Sequence, residues 1–315
     1  MSTLAAVREA RAAGTRTGLE RGVISTLLYY DIWRYPLTAA ELHAFHPRSA
    51  PARDAFRRAL DRMVQEGALS AGGGYFWLPG RGRLDGERLR RRRHARGMWR
   101  LAGFAARLIK VFPFVRAVFV SGDLSKDATG RGSDVDFLIL TEPRRLWIAR
   151  TLLVIFKKTV LLNSRKFFCI NSFAATDAME VTERNIYQAT EIAQLKPLYN
   201  APLFRAYLAA NGWIREYFPN FSTAALRLPT ATERRSILQR AAELPFRLLP
   251  ADRIDAALMR AMRRTWALRH PELDESTREE LFRCAPGESR AYAGNFQGKV
   301  LRAYEARLHS HGVSS

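Results

Sequence analysis

Two aspartates, Asp134 and Asp136, lie in the segment Gly132-Ser133-Asp134-Val135-Asp136-Phe137-Leu138-Ile139-Leu140, whose apolar end predicts a β-strand. Residues two apart on a strand project from one face, so both carboxylates point together while Val135 and Phe137 turn into packing. Carboxylates held that close repel each other unless a cation lies between them. Oxygen ligands of this kind suit Mg²⁺ shared with substrate phosphates. The plainer reading is an exposed Asp pair at a strand edge.

The elements that must position the pair are legible on both sides. Phe114 to Val120 (FVRAVFV) predicts a second strand that ends at a Ser121-Gly122 turn, and an irregular loop carries the chain on to Gly132. Lys126 and Arg131 in that loop are candidate phosphate contacts, with plain solvation as the alternative. Leu146 to Leu162 is apolar but interrupted by Arg150, Lys157 and Lys158, which predicts a packed helix and no transmembrane segment.

Ahead of this core, Val23 to Trp33 predicts a buried helix. Thr38-Ala-Ala-Glu41 reads as a capping box, stapled by Leu37 and Leu42. A third helix over Ala52 to Glu66 carries Phe56, Leu60, Met63 and Val64 on one face, with Gly67 as its C-terminal cap. Ala68-Leu69-Ser70 and Tyr75 to Leu78 flank Ala71-Gly72-Gly73-Gly74 as a β-hairpin. Arg53, Arg57, Arg58 and Arg62 decorate the third helix as a groove-reading helix needs, although a helical adaptor has the same outline. From Arg81 the chain turns intensely basic, which predicts a long linker helix packed through Leu84, Leu89, Met98, Trp99, Leu101, Phe104 and Leu108. After the core, helices are expected over Asn185 to Asn200, Leu203 to Tyr217, Thr232 to Arg247, Asp252 to Leu268 and Glu288 to His309.

Composition sets the outer bounds. The 315 residues suffice for two or three units with cores of their own. A formal charge of +21 draws polyanions such as nucleic acid, nucleotides or an anionic surface, unless it reflects arginine enrichment across a whole genome. Cys169 and Cys284 stand far apart without metal-ligand spacing, and residues 1–20 lack a secretory core segment, so a reducing, cytoplasmic setting is expected. The 6 histidines are scattered, and no phosphate-loop, dinucleotide or Ser-His-Asp pattern occurs.

Strand, Ser121-Gly122 turn, spacer and "GSDVDFLIL" together resemble the signature of polymerase-beta-type nucleotidyltransferases, and "ALDRMVQEGALSAGGGYFWLP" resembles the recognition helix and wing of winged helix-turn-helix proteins. The order of segments, with "RRLWIARTLLVIFKK" and "EIAQLKPLYN" following, is similar to a bacterial group of nucleotidyltransferase-domain proteins. The resemblance implies an α+β chain: a polar lead-in (1–20), a winged-helix-like domain (21–80), a basic linker helix (81–112), a nucleotidyltransferase-like core with a mixed sheet (113–225) and a C-terminal helical region (226–315). It implies a Mg²⁺-dependent transfer of a nucleoside monophosphate from an NTP, with one or two ions on Asp134 and Asp136 and nucleotide contacts at Ser121, Gly122, Asp123, Lys126, Arg131 and Ser133. The alternative is a degenerate, nucleotide-sensing regulator that binds duplex DNA or another polyanion through Arg53, Arg57, Arg58 and Arg62.

Two positions depart from the family pattern. Asp123 stands where Ser or Gly is usual, beside the expected polyphosphate. Asn171, in Lys166 to Phe173 (KFFCINSF), stands where active members carry a third carboxylate, and Asp177 falls beyond that strand. The acceptor, the preferred base and the oligomeric state are not written in the sequence.

Overall fold

The computed structural model describes residues 17–130, 132–162, 168–223, 235–291 and 295–313. Helix α1 (Gly18–Asp31) starts at a capping box between Thr17 and Glu20, and its residues from Gly22 to Asp31 are all buried. A helix apolar on every side needs partners all round. It finds them in β1 (Leu37–Thr38), α2 (Ala39–Ala44), α3 (Arg53–Gln65), and the hairpin β2 (Ser70–Gly72) and β3 (Tyr75–Trp77). The expected capping box forms, with the Thr38 hydroxyl accepting from the Glu41 N–H. The hairpin turns through Gly73 and Gly74, both at positive φ (58° and 83°), the backbone that a two-residue hairpin loop demands. The three short strands form an antiparallel sheet in the order β1-β3-β2.

The long basic helix is α4 (Asp85–Ile109), and it packs differently from the sequence expectation. Leu89, Leu101 and Phe104 are exposed, while Ala95, Met98, Ala102, Ala105, Ala106 and Ile109 form its buried stripe. Alanines let a helix backbone come close to the sheet it covers, so the small residues carry this contact.

Next come β4 (Val115–Ser121), α5 (Gly122–Ser125), β5 (Asp136–Thr141), α6 (Leu146–Thr159), β6 (Cys169–Ala175), α7 (Ile186–Gln194) and β7 (Lys196–Tyr199). The chain continues through α8 (Ala201–Ala210), α9 (Ile214–Tyr217), α10 (Ile237–Glu243), α11 (Pro245–Leu248), α12 (Ala251–Arg269) and α13 (Glu275–Leu281). It closes with β8 (Cys284–Ala285), β9 (Glu288–Arg290) and α14 (Phe296–Ser310). The fold is thus α+β, with a mixed sheet of six strands in the order β7-β4-β5-β6-β9-β8. The β5–β6 pair is parallel and the other pairs are antiparallel.

Alternation along the strands splits the core between two faces. Ala117, Phe119, Leu138 and Leu140 join a cluster with α1, α7 and α8, whereas Val118, Val120, Phe137 and Ile139 pack beneath α4 and α6. The first cluster runs without a break from Val23 and Leu60 into the sheet, so the N-terminal elements share a core with the central ones.

Several helix expectations are corrected. Residues Lys196–Tyr199 are an edge strand, because Pro197 cannot continue a helix and is tolerated where one strand side lies unpaired. Leu203 to Tyr217 divides at Asn211 and Gly212. The stretch predicted from Thr232 begins at Ile237, after a Ser236 cap, and its residues 232–234 lie outside the described ones. Glu288–Arg290 pairs with β6 as a strand, so the last helix starts only at Phe296. Pro286-Gly287 between β8 and β9 is the turn signal that a purely helical reading overlooks. The C-terminal region therefore contributes two sheet strands as well as helices. Among the described residues, no helix is long and apolar enough to cross a membrane.

Candidate functional site

Ser121 on β4 pairs with Asp136 on β5, which in turn pairs with Cys169 on β6, placing the three residues in one row across the sheet. Directly after Ser121 the chain turns at Gly122, where φ is 65°. A Cβ on Gly122 would lie 2.6 Å from Asp136 Oδ2, so backbone and carboxylate are pressed together and only glycine fits. Ser121, Gly122, Asp123, Lys126, Ser133 and Asp136 all line a single cavity of about 810 Å³. Its far walls come from α1 (Tyr29, Tyr30), α7 (Tyr187, Glu191) and the C-terminal segment (Arg290, Gln297).

The two aspartates are not equivalent. The strand begins at Asp136, and Asp134 stands in the extended lead-in, half-buried. Asp136, but not Asp134, is part of the cavity wall. Burial pushes the Asp136 carboxyl above the usual range; the nearby charges of Asp134, Glu191 and Asp123 add to this, and a hydrogen bond from the Cys169 thiol opposes it. Burial likewise raises the Cys169 thiol, with the Asp136 charge reinforcing it. Asn171, on β6, donates from Nδ2 to Cys169 Sγ at 2.8 Å.

The loop between the strands is built from its own polar groups. Asp123 Oδ2 accepts from the Ser133 hydroxyl at 2.8 Å, and Ser133 Oγ accepts from the Gly130 N–H at 2.9 Å. The Asp123 carboxylate thus has a structural partner within the loop. Lys126 is anchored as well: its ammonium pairs with Glu191, and its carbonyl accepts from the Tyr35 hydroxyl and from Arg88 Nη1 (2.9 Å). Helix α4 holds the same loop at two more points, Trp99 Nε1 to Asp127 Oδ1 at 2.8 Å and His94 to Thr129 at 3.1 Å. Part of the basic helix is therefore a brace for the loop. Arg90, Arg92, Arg93, Arg96 and Arg100 remain exposed on it. Arg131 lies outside the described residues.

Glu191 is the site residue that sequence reading missed. It belongs to a helix far along the chain, and only the packing of α7 on the sheet brings its charge to Asp136 and Lys126. No spacing rule could have flagged it.

No family model, curated protein or solved structure matches this chain. The arrangement must be read from its own chemistry. Asp134 and Asp136 offer oxygen donors, which fit Mg²⁺ in kind, with the remaining positions left to water and phosphate oxygen. Among the described residues, no group of three or more His, Cys, Asp or Glu side chains could hold a metal ion. Any ion bound here would depend on the nucleotide for several of its ligands.

Arg53, Arg57, Arg58 and Arg62 all lie exposed on α3, and none of them lines the cavity. Arg57 is partly spent, paired with Asp61 at 3.1 Å and with its guanidinium over the Phe76 ring.

Proposed function

We propose that this chain is a nucleotidyltransferase that moves a nucleoside monophosphate from an NTP to an acceptor hydroxyl. The observation that carries the reading is the contact between Gly122 and Asp136: a positive-φ glycine turn and a carboxylate, both on the wall of one large cavity. In that reaction the acceptor oxygen bonds to the α-phosphorus, the bond to the bridging oxygen breaks, pyrophosphate leaves, and the hydroxyl proton passes to a cavity carboxylate. Mg²⁺ on Asp134 and Asp136 would supply stabilisation of the charge that develops on the phosphates. Gly122 admits the phosphates close to the backbone, and the braced loop fixes the position of Ser133 and Asp123. The sheet that carries the carboxylates, with α4 and α6 on one face, supports reading residues 113–225 as a polymerase-beta-type core. Incubation with Mg²⁺, each labelled NTP and a broad acceptor panel tests this reading. Labelled product that Asp134→Ala abolishes is the expected result, and no product with any nucleotide would sink it.

A second reading rests on Asn171, which leaves strand β6 without the third carboxylate of an active member's set, and on the exposed arginines of α3. Three helices followed by the β2–β3 hairpin support a winged helix-turn-helix reading of residues 21–80, and with it a nucleotide-sensing, DNA-binding regulator. Duplex affinity is then expected to fall steeply with salt. Replacing Arg53, Arg58 and Arg62 by Gln should flatten the log–log salt slope by about three. Fluorescence anisotropy with labelled duplex across a salt series reads this directly, and no binding at low salt eliminates it.

A further inference from the structure

Helices α10 and α11 are inside out. Gln239 is fully buried and Glu243 is 4% exposed, whereas Ile237, Leu238, Leu244 and Leu248 are 84%, 72%, 56% and 88% exposed. The inward polar groups have structural work. Gln239 Nε2 donates to the carbonyls of Phe112 and Val115 (3.0 and 2.7 Å), and Glu243 accepts from the Phe114 N–H and from Arg116. These bonds fix the rotation of the helix pair and so hold its leucines outward. Leu244 ends α10 and begins α11 with helical backbone, so the two run on as one irregular rod. At helical spacing Ile237, Ala241, Leu244 and Leu248 fall in one stripe, with Leu238 along its edge.

We propose that this stripe lays the chain onto an anionic lipid bilayer. Charge selects that occupant. Arg240 and Arg247 are exposed along one border of the stripe, where long cationic side chains reach headgroups while the leucines enter the acyl boundary. The one acidic side chain within α10 and α11, Glu243, is turned inward, so the outward surface of the pair carries only positive charge. A second copy of a chain with formal charge +21 meets that surface with like charge. The proposal rests on this surface alone and stands apart from the reading of the cavity.

Co-sedimentation of the full chain with phosphatidylglycerol/phosphatidylcholine vesicles and with pure phosphatidylcholine vesicles tests it. Binding to the anionic vesicles only is expected. The decisive variants are Leu248→Gln and the double variant Leu244→Gln/Leu248→Gln, which leave the charge unchanged. Each should weaken partition, the pair by about tenfold or more. Both sites are exposed, so an unaltered circular dichroism spectrum and melting temperature should accompany the loss, and Ile237→Gln repeats the test should either variant misfold. Arg240→Gln/Arg247→Gln should weaken anionic binding as well. Three results overturn the proposal: no binding to anionic vesicles, binding that the Leu→Gln variants leave unchanged, or a concentration-dependent dimer dispersed by Leu248→Gln in a chain that ignores vesicles.

Discussion

Asp136→Asn is expected to cut nucleotidyl transfer by about a hundred- to a thousandfold while raising the melting temperature of the metal-free protein. The two effects have one cause. Burial and the neighbouring charges of Asp134, Glu191 and Asp123 make an ionised Asp136 unfavourable, which is why its carboxyl titrates high. For a carboxyl raised in the folded state, the stabilising contribution is present below the unfolded value and is lost as pH rises through the folded one. Above the folded value the native site therefore holds a costly charge, and an isosteric amide relieves it. Each kcal/mol relieved is worth about 1–2 °C in a chain of this size. Saturating Mg²⁺ with nucleotide should raise the wild-type melting temperature by mass action and leave the variant nearly unmoved. Turnover retained by Asp136→Asn, or a variant less stable than wild type without metal, would defeat this account.

Glu243→Ala should be strongly destabilising, costing about 2–4 kcal/mol. Glu243 is buried at the start of the central strand β4, accepting from the Phe114 N–H at 2.9 Å, Arg116 Nη1 at 2.8 Å and Arg235 Nη1 at 3.2 Å. Burial alone would raise its carboxyl, but the Arg116 and Phe114 bonds outweigh burial and hold it below the ordinary value of 4.5. Its contribution is thus present above that value and is lost as pH falls through the depressed folded one. Truncation leaves the Phe114 N–H without its acceptor and takes one carboxylate from the Arg116 guanidinium, which keeps Glu142 and the Val115 carbonyl. Glu243→Gln keeps an acceptor and should cost distinctly less, about 1–2 kcal/mol. Thermal melts at neutral and acidic pH check both claims: the gap between wild type and Glu243→Ala must narrow in acid, and equal melting temperatures at neutral pH would refute the role.

What the sequence disclosed follows the range of each interaction. Thr38 and Glu41, Gly73 and Gly74, and the Asp134-x-Asp136 pair act over a few residues, so their types and spacing announce them. Glu191 does not act that way, since its effect on Asp136 exists only after α7 has docked. The edge strand holding Pro197 and the hairpin β8–β9 were hidden for a related reason: three or four residues become strands by pairing, not by periodicity. Helix α4 misled through side-chain size. Leu89, Leu101 and Phe104 face outward, because close approach to the sheet favours alanine. The inversion of α10 was equally invisible, because Gln239 and Glu243 are polar until the carbonyls and the arginine they serve are known.

The pairing of β6 with β9 joins Ser172 to Arg290. A ribosome makes about 5–20 residues per second, so the β6 edge waits on the order of ten seconds for its partner strand to be synthesised. Throughout that interval the nascent chain carries an unpaired strand edge beside its apolar core, an open template for a neighbouring nascent chain. Yield on overexpression should therefore depend on translation speed and chaperone supply more steeply than the stability of the finished protein would indicate.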